Sequence, residues 1–326
     1  MRPKIFVSQP IGPTALARLK QIADVEMIAD SSKIISKQRM IEGTKSCDIL
    51  LALLHDVVDA EVIAANPKLR AITSMSITPD RIDVAEATKR KIPVTVVPAM
   101  AVETTADLCW ALMMAVARRV VEGDNLVRAG GFPGAQSNHL AGAFVWSKTL
   151  GLVGGRGRIG RAVARRARGF DMRVLYQSRQ RMTPEQEKEL NATYVPLDEL
   201  LKESDFVSLH PNMTPETHHM IGEREFGLMK KTAYIINTAR GPVIDEKALV
   251  RALQSGRIAG AGLDVFEAEP YIEPELLKMP QVVMTPHLGS AVLEIRDQMA
   301  NVVVDNIEAL LAGRPLPNCV NPQVFS

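Results

Sequence analysis

Residues 148–179 read KTLGLVGGRGRIGRAVARRARGFDMRVLYQSR. Thr149 to Val153 is a short apolar run that reads as a buried strand. A glycine cluster follows, then about three turns of small and basic residues, then a second apolar run from Met172 to Tyr176. Strand, glycine loop, helix, strand is one βαβ unit, and within it Gly155, Gly157 and Gly160 stand as G-x-G-x-x-G. In such a unit the first glycine permits the tight turn, the second lets backbone approach a pyrophosphate, and the third lets the helix pack closely on the strand. The helix N-terminus then offers N–H groups and a partial positive charge to phosphate, with Arg158 and Ile159 in its first turn. A ribose 2′-hydroxyl asks for Asp or Glu about 20 residues on, but Tyr176 to Arg181 reads YQSRQR and holds no acid. Ser178, Arg179 and Arg181 suit a 2′-phosphate instead, because arginine presents a planar fork to phosphate oxygens. The implied cofactor is NADP(H), with NAD(H) possible.

Outward from this stretch, strand and helix patterns alternate in both directions. Lys4–Ser8, Val25–Ile28, Asp48–Leu53, Ala71–Met75 and Val94–Val97 are apolar or β-branched runs, with helical patterns at Thr14–Ile22 and Ala60–Ala65 between them. That alternation implies an α/β fold with a doubly wound parallel sheet. Val102 to Arg128 reads as one long helix. After the glycine unit, Phe206–His210, Ala233–Asn237, Ile258–Asp264 and Val282–Thr285 read as strands, Glu246–Ser255 and Ser290–Leu311 as helices, and the tail PLPNCVNPQVFS as an extended cover. Two doubly wound domains are expected: residues 1–100 with 290–326 for substrate, and residues 101–289 for the dinucleotide.

Composition excludes other classes. A formal charge of +2 over 326 residues offers no electrostatic case for nucleic acid or an anionic membrane. No apolar run approaches the ~20 residues of a membrane span, and MRPKIFVSQP has neither an apolar core nor a cleavage site of a secretory signal. Cys47, Cys109 and Cys319 are few, scattered and odd in number, which argues for reduced thiols in a cytoplasm. No spacing of metal ligands stands out.

Ligands of open α/β sheets bind beyond the carboxyl ends of the strands. The residues there are His210-Pro211, Thr238-Ala239-Arg240, Asp264 with Glu267 and Glu269, and Pro286-His287. Hydride transfer to a ketone leaves an alkoxide that needs a proton, and histidine titrates nearest neutrality. A carboxylate on the ring favours its charged form and fixes its orientation. An arginine grips a carboxylate in two places and polarises the adjacent carbonyl. Singly, each residue is more often structural: a satisfied histidine, a salt-bridging arginine, a helix-capping acid.

From about residue 45 onward the chain resembles the D-isomer-specific 2-hydroxyacid dehydrogenases, in particular their glyoxylate/hydroxypyruvate reductase branch. The matching segments are TADLCWALMMAVARR (105–119), GRIGRAVARRARGF (157–170), LDELLKESDFVSLH (197–210), TPETHHMI (214–221), NTARGPVIDEKALVRALQSGRIAGAGLDVFEAEP (237–270) and TPHLGSA (285–291). The resemblance implies that Arg240 binds the substrate carboxylate and carbonyl, that Glu269 supports the histidine, and that His287 is the general acid/base. It implies a flavodoxin-like substrate domain, a Rossmann cofactor domain and a homodimer. It also implies that His210, Pro211, Thr217, Thr238, Ala239, Arg240, Asp264, His287 and Gly289 line the dinucleotide.

The chain departs from the family pattern at the substrate loop, where Ser76-Ile77-Thr78-Pro79-Asp80-Arg81 replaces a glycine-containing sequence and the proline removes one N–H donor. Ala101 stands where leucine is usual, a smaller wall that suits a bulkier 2-keto acid. Two other readings stay open: an unusual substrate of the phosphite type, and a dinucleotide-sensing binding protein. The expected activity is reduction of 2-keto acids to D-2-hydroxy acids.

Overall fold

In the computed structural model, which describes residues 2–325, the apolar runs of the first hundred residues form five strands: β1 (Lys4–Val7), β2 (Asp24–Met27), β3 (Ile49–Ala52), β4 (Ala71–Ser74) and β5 (Val94–Thr95). All pair in parallel, in the order β2-β1-β3-β4-β5. That is the flavodoxin-like winding, whose order reverses between β1 and β3. Strands β3 and β4 are buried along their whole length, which is why ILLA and AITS lack the polar alternation of a half-exposed strand. Helices α1 (Pro13–Ile22), α2 (Lys37–Ser46), α3 (Ala60–Ala64) and α4 (Val84–Lys89) make the crossovers. Ser36, Asp59 and Asp83 cap α2, α3 and α4 through their side chains.

The C-terminal helix, Leu293–Leu311, packs on α1 and completes this first unit, which comprises the residues up to Met100 and those from Ala291 onward. Arg18 of α1 binds Asp305 at 2.7 Å and Glu308 at 3.0 Å. The tail then runs antiparallel along β5: Val96 N–H donates to Asn318 and Val320 N–H to Val94, at 3.1 and 2.9 Å. Buried Asn321 fixes it, accepting from Val94 N–H and donating to the Ile92 carbonyl. The tail is thus a cover for a sheet edge; its last residue, Ser326, lies outside the described residues, as does Met1.

The second unit, Ala101–Ser290, opens with α5 (Val102–Ala117) and α6 (Val120–Arg128). Here the expectation of one helix from Val102 to Arg128 is corrected. Arg119 takes a left-handed backbone, φ 53°, which no α-helix tolerates mid-run. The break is held from outside, since the Ala117 carbonyl accepts from Ala143 N–H at 2.7 Å and Arg119 turns back on Glu122 with two bonds.

Seven parallel strands follow: β6 (Thr149–Val153), β7 (Arg173–Gln177), β8 (Ala192–Tyr194), β9 (Phe206–Leu209), β10 (Tyr234–Asn237), β11 (Gly260–Leu263) and β12 (Val282–Met284). Between them lie α7 (Arg158–Ala167), α8 (Pro184–Leu190), α9 (Leu197–Glu203), α10 (Glu223–Leu228) and α11 (Glu246–Gln254). The order β12-β11-β10-β9-β6-β7-β8 is Rossmann winding with one added strand, and it reverses between β6 and β9. One core lies on each face, the first around Leu175, Val207, Leu249 and Phe266, the second where α5 and α7 press Trp110, Met113 and Val163 onto Leu150 and Val174. Because every strand runs the same way, the carboxyl ends of six of them, β8 apart, present the site residues along one edge.

Candidate active site

The glycine loop follows β6 at the reversal point. Gly154 makes the turn, with φ +77°, so the turning role expected of Gly155 belongs to its neighbour. A Cβ on Gly154 would stand 2.7 Å from the backbone of His210 and Pro211, which brings the loops after β6 and β9 into contact. Gly155 packs against Tyr176, and Gly160 lies on Gly155 itself, where a Cβ would be 2.7 Å from its Cα. Gly157 is the N-cap of α7 and lacks a side-chain cap, so the first-turn N–H groups of Arg158, Ile159 and Gly160 have no capping side chain over them.

After β7, Ser178 Oγ accepts from Arg156 N–H at 2.9 Å and so ties this turn to the glycine loop. Arg179 is exposed, and its charge helps hold Glu216 below the usual carboxylate range, behind the bonds of Thr214 and the Glu216 backbone. Arg181, expected beside it at the 2′-phosphate, is engaged elsewhere. Its guanidinium binds Glu187 with two bonds of 2.7 and 2.8 Å. That pairing turns the fork onto a carboxylate of α8.

His210, after β9, has Nε2 at 2.9 Å from Ser208 Oγ, which in turn contacts Cys109 Sγ at 3.0 Å. Its Nδ1 is buried without a partner, and burial lowers the ring's pKa to about 4, so it is neutral at pH 7. Burial likewise pushes the Cys109 thiol up to about 12. Pro211 opens the same loop, and Thr217 closes it by donating to the Asn212 carbonyl at 2.7 Å. After β10, Thr238 Oγ1 is a second buried polar atom without a partner.

Asn237, which the sequence reading left without a role, braces the turn that carries Arg240. Its carboxamide accepts from Ala239 N–H and donates to the Arg240 carbonyl, both at 3.0 Å. Arg240 also donates to the Ala239 carbonyl. Gly241 lets this turn lie on the chain after β11, for a Cβ there would fall 1.8 Å from the Phe266 carbonyl oxygen. Three residues past Phe266 comes Glu269, and its Oε1 accepts from Phe266 N–H at 3.0 Å.

His287 follows β12 with φ 57°, a left-handed backbone at a residue with a Cβ. Its Nδ1 meets Glu269 at 3.0 and 3.3 Å from the two carboxylate oxygens. Asp264, at the end of β11, holds the turn in place. It accepts from Thr285 Oγ1 and Leu288 N–H, both at 2.6 Å, and from Gly289 N–H at 2.9 Å, and burial pushes its carboxyl up despite those donors. Asp264 is therefore built first as a brace for the histidine turn. Thr105 of α5 donates to the Gly289 carbonyl at 3.2 Å and locks the far end.

Ala101 starts α5 and accepts from Thr105 N–H at 3.1 Å. In the first unit, Ser76, Ile77 and Thr78 follow β4. The Ser76 carbonyl accepts from Val97 N–H at 2.9 Å, Thr78 Oγ1 donates to Asp80, and Ile77 is 39 % exposed. Among the described residues the N–H groups of Ile77 and Thr78 make no hydrogen bond.

The site fits a dinucleotide. Three glycines make the cradle, a helix start without a side-chain cap faces it, and two buried polar atoms, His210 Nδ1 and Thr238 Oγ1, lack partners along the same edge. A Rossmann sheet with an arginine turn and a histidine–glutamate pair at its strand ends defines a nicotinamide-dependent dehydrogenase acting on CH–OH groups. Comparison with known proteins narrows this. Residues 110–289 match the family model described as D-isomer specific 2-hydroxyacid dehydrogenase, NAD binding domain. A glyoxylate reductase of Korarchaeum cryptofilum is 50 % identical over 327 residues, 99 % of this chain and 97 % of that protein. A Thermus thermophilus crystal structure superposes with a TM-score of 0.89 at 40 % identity, covering 97 % of this chain and 99 % of that one. An NADPH-dependent glyoxylate/hydroxypyruvate reductase of Sinorhizobium meliloti, solved with NADP and malonate, superposes with a TM-score of 0.81 at 30 % identity, covering 99 % and 98 %. The chain belongs to the D-isomer-specific 2-hydroxyacid dehydrogenase family, whose chemistry interconverts 2-keto and 2-hydroxy acids.

Proposed function

We propose that this enzyme reduces small 2-keto acids of the glyoxylate or hydroxypyruvate type, or bulkier ones, to D-2-hydroxy acids, and that it prefers NADPH. The observation that carries the reading is the His287–Glu269 pair at 3.0 Å, reached by the same chain segment that the Arg240 turn lies on. A bound nicotinamide dinucleotide supplies the hydride. His287 delivers the proton to the developing alkoxide; with Nδ1 facing Glu269, Nε2 is the nitrogen that works on substrate. Glu269 fixes the orientation of the ring through that contact. Arg240 takes the substrate carboxylate and stabilises the charge that grows on the carbonyl oxygen. In the first unit, the amides of Ile77 and Thr78 are N–H donors of the kind a carboxylate takes; in the second, Ala101 leaves a small wall.

Ser178 and Arg179 support the NADPH preference, as does the NADP bound to the Sinorhizobium meliloti relative. The glyoxylate reductase relatives support the substrate class. Gly155, Gly157 and Gly160, with Arg158 and Ile159 and with Thr238, Ala239, Asp264 and Gly289, would hold the dinucleotide. Residues 1–100 with 290–326 serve the substrate and residues 101–289 the cofactor. A homodimer is supported by the apolar side chains that α6 and the following loop expose, Val120, Val127, Phe132, Phe144 and Trp146. Three free cysteines fit a reducing cytoplasm.

The test is absorbance loss at the reduced-nicotinamide band with NADPH and NADH in parallel, against glyoxylate, hydroxypyruvate, pyruvate and a bulky aryl 2-keto acid. Fast NADPH consumption with one acid is expected, and His287→Ala should lower turnover by about a hundred- to ten-thousandfold, the range of a general acid, while NADPH still binds. Undiminished turnover in that variant removes His287 from the chemistry.

A further inference from the structure

The turn after β7 holds a second arginine that the geometry withdraws from the cofactor. Arg181 lies three residues past Ser178, so no more than about 11 Å of backbone separates them. Its side chain is 64 % exposed and long enough to point either way. What turns it is Glu187 on α8, only 14 % exposed, which grips it by both carboxylate oxygens. Glu187 is itself anchored. Its Oε1 accepts from the hydroxyl of fully buried Tyr176 at 2.6 Å, and that hydroxyl accepts from Met182 N–H at 2.8 Å. The Arg181 guanidinium also lies 5.9 Å from the Tyr194 ring centroid. Arg179, two residues earlier, has none of these anchors.

We propose that Glu187 sets the cofactor selectivity of this enzyme by sequestering Arg181, leaving Arg179 with Ser178 to read the ribose 2′-phosphate. This rests on the 2′-phosphate reading of the turn and deepens it. A carboxylate this well anchored removes one cation from the phosphate's reach, and the two paired side chains together add no net charge to the turn. Release of Arg181 adds a bidentate, charge-assisted partner for phosphate. Tyr176 and Met182 hold the backbone of the turn, so the selectivity change requires a side-chain swing and no refolding of the loop.

The test uses the full chain without cofactor and two probes that differ only in the 2′-phosphate, adenosine 2′,5′-bisphosphate and 5′-AMP, with affinities from titration calorimetry. Glu187→Gln keeps an acceptor for Tyr176 and removes the charge that holds Arg181. It should raise the preference for the bisphosphate about five- to tenfold, the worth of one solvent-facing charge-assisted contact. Adding Arg181→Ala to that variant should erase the gain. Arg181→Ala alone, which leaves Glu187 and its tyrosine in place, should stay within about twofold of the parent. A loss of preference in Arg181→Ala alone overturns the proposal, because Arg181 would then already be on the phosphate. An unchanged preference in folded Glu187→Gln overturns it too. If the parent protein shows no preference yet Glu187→Gln acquires one, the sequestering role stands and the NADPH reading falls. If the parent prefers the bisphosphate through Arg179 and Glu187→Gln changes nothing, the reading stands and this inference falls.

Discussion

His210 makes the second unit acid-labile in a way that can be read out separately from everything else that titrates. Its side chain is half-buried just past β9, with one nitrogen on Ser208 and the other buried without a partner. Protonation places a charge where nothing accepts the second N–H, and burial lowers the pKa from the ordinary 6.5 to about 4. A folded-state value below the unfolded one means that the unfolded chain binds more protons in that interval. The contribution is therefore fully present above about pH 6.5 and is lost as pH falls through about 4. Between pH 7 and about 4.5 the loss amounts to about 2 kcal/mol, taking about 1.4 kcal/mol per pKa unit. His210→Gln keeps a hydrogen-bonding group toward Ser208 and cannot gain a proton. Urea unfolding at the two pH values, read from Trp110, isolates the effect. That residue is 7 % exposed and stacked on Phe170, while exposed Trp146 is removed from both proteins as Trp146→Phe. The parent should lose about 2 kcal/mol more than the glutamine variant; carboxylates that titrate in both cancel. Equal losses, or a His210 ring that titrates by NMR near 6.5, would refute the reasoning.

Two further outcomes follow from the packing of the turns. Gly154→Ala puts a side chain into a left-handed backbone and 2.7 Å from the His210–Pro211 peptide; it should cost about 2–4 kcal/mol in urea unfolding, and a cost below about 1 kcal/mol would deny that the two loops meet there. Asp264→Asn leaves one acceptor for three donors and turns an N–H₂ toward the rest. The amides of Leu288 and Gly289 should exchange with deuterium about tenfold faster or more, the equivalent of about 1.4 kcal/mol of lost local stability; unchanged protection would mean that the turn holds without its aspartate.

Most of the architecture was legible because parallel strands buried on both faces show as uninterrupted apolar runs. KIFVS, DILLAL, FVSLH and AYIIN all became strands. What escaped was short or capped rather than apolar. Strand β8 is three residues, ATY, and α8 is held by a Thr183–Gln186 capping box in a polar segment; β8 in particular offers no periodicity to read. The split at Arg119 was invisible because its cause, the carbonyl of Ala117 taken by Ala143, comes from 24 residues further on. At the site, residue types pointed to Arg240, His287 and an acid among Asp264, Glu267 and Glu269; the family resemblance singled out Glu269, and the His287–Glu269 bond is there. The pairing of Arg181 with Glu187 was hidden for a different reason. An arginine near a phosphate motif reads as a phosphate ligand until the acid that holds it is located, and that acid lies six residues on, in the next helix. One signal was available: TPEQE is a helix start, which places Glu187 within the first two turns after the arginine.

The bracing residues also explain how a site built on turns can be rigid. Several turns along the sheet edge are held by a neighbour as well as by their own bonds. Gly154 after β6 admits the loop after β9; Gly241 after β10 admits the chain after β11; Asp264 at the end of β11 holds the turn after β12 with three bonds. Glu269, on the segment after β11, then meets His287 on the turn after β12. The left-handed backbone at His287 would cost about 1–3 kcal/mol in isolation. It persists because His287 N–H donates to the Asp264 carbonyl at 2.9 Å while the same residue's carboxylate takes the next two N–H groups. The strain and its remedy therefore lie on different strands. The orientation of the proton-donating ring is accordingly a property of β11 and β12 in register, and a substitution that shifts β11 moves the histidine without touching it.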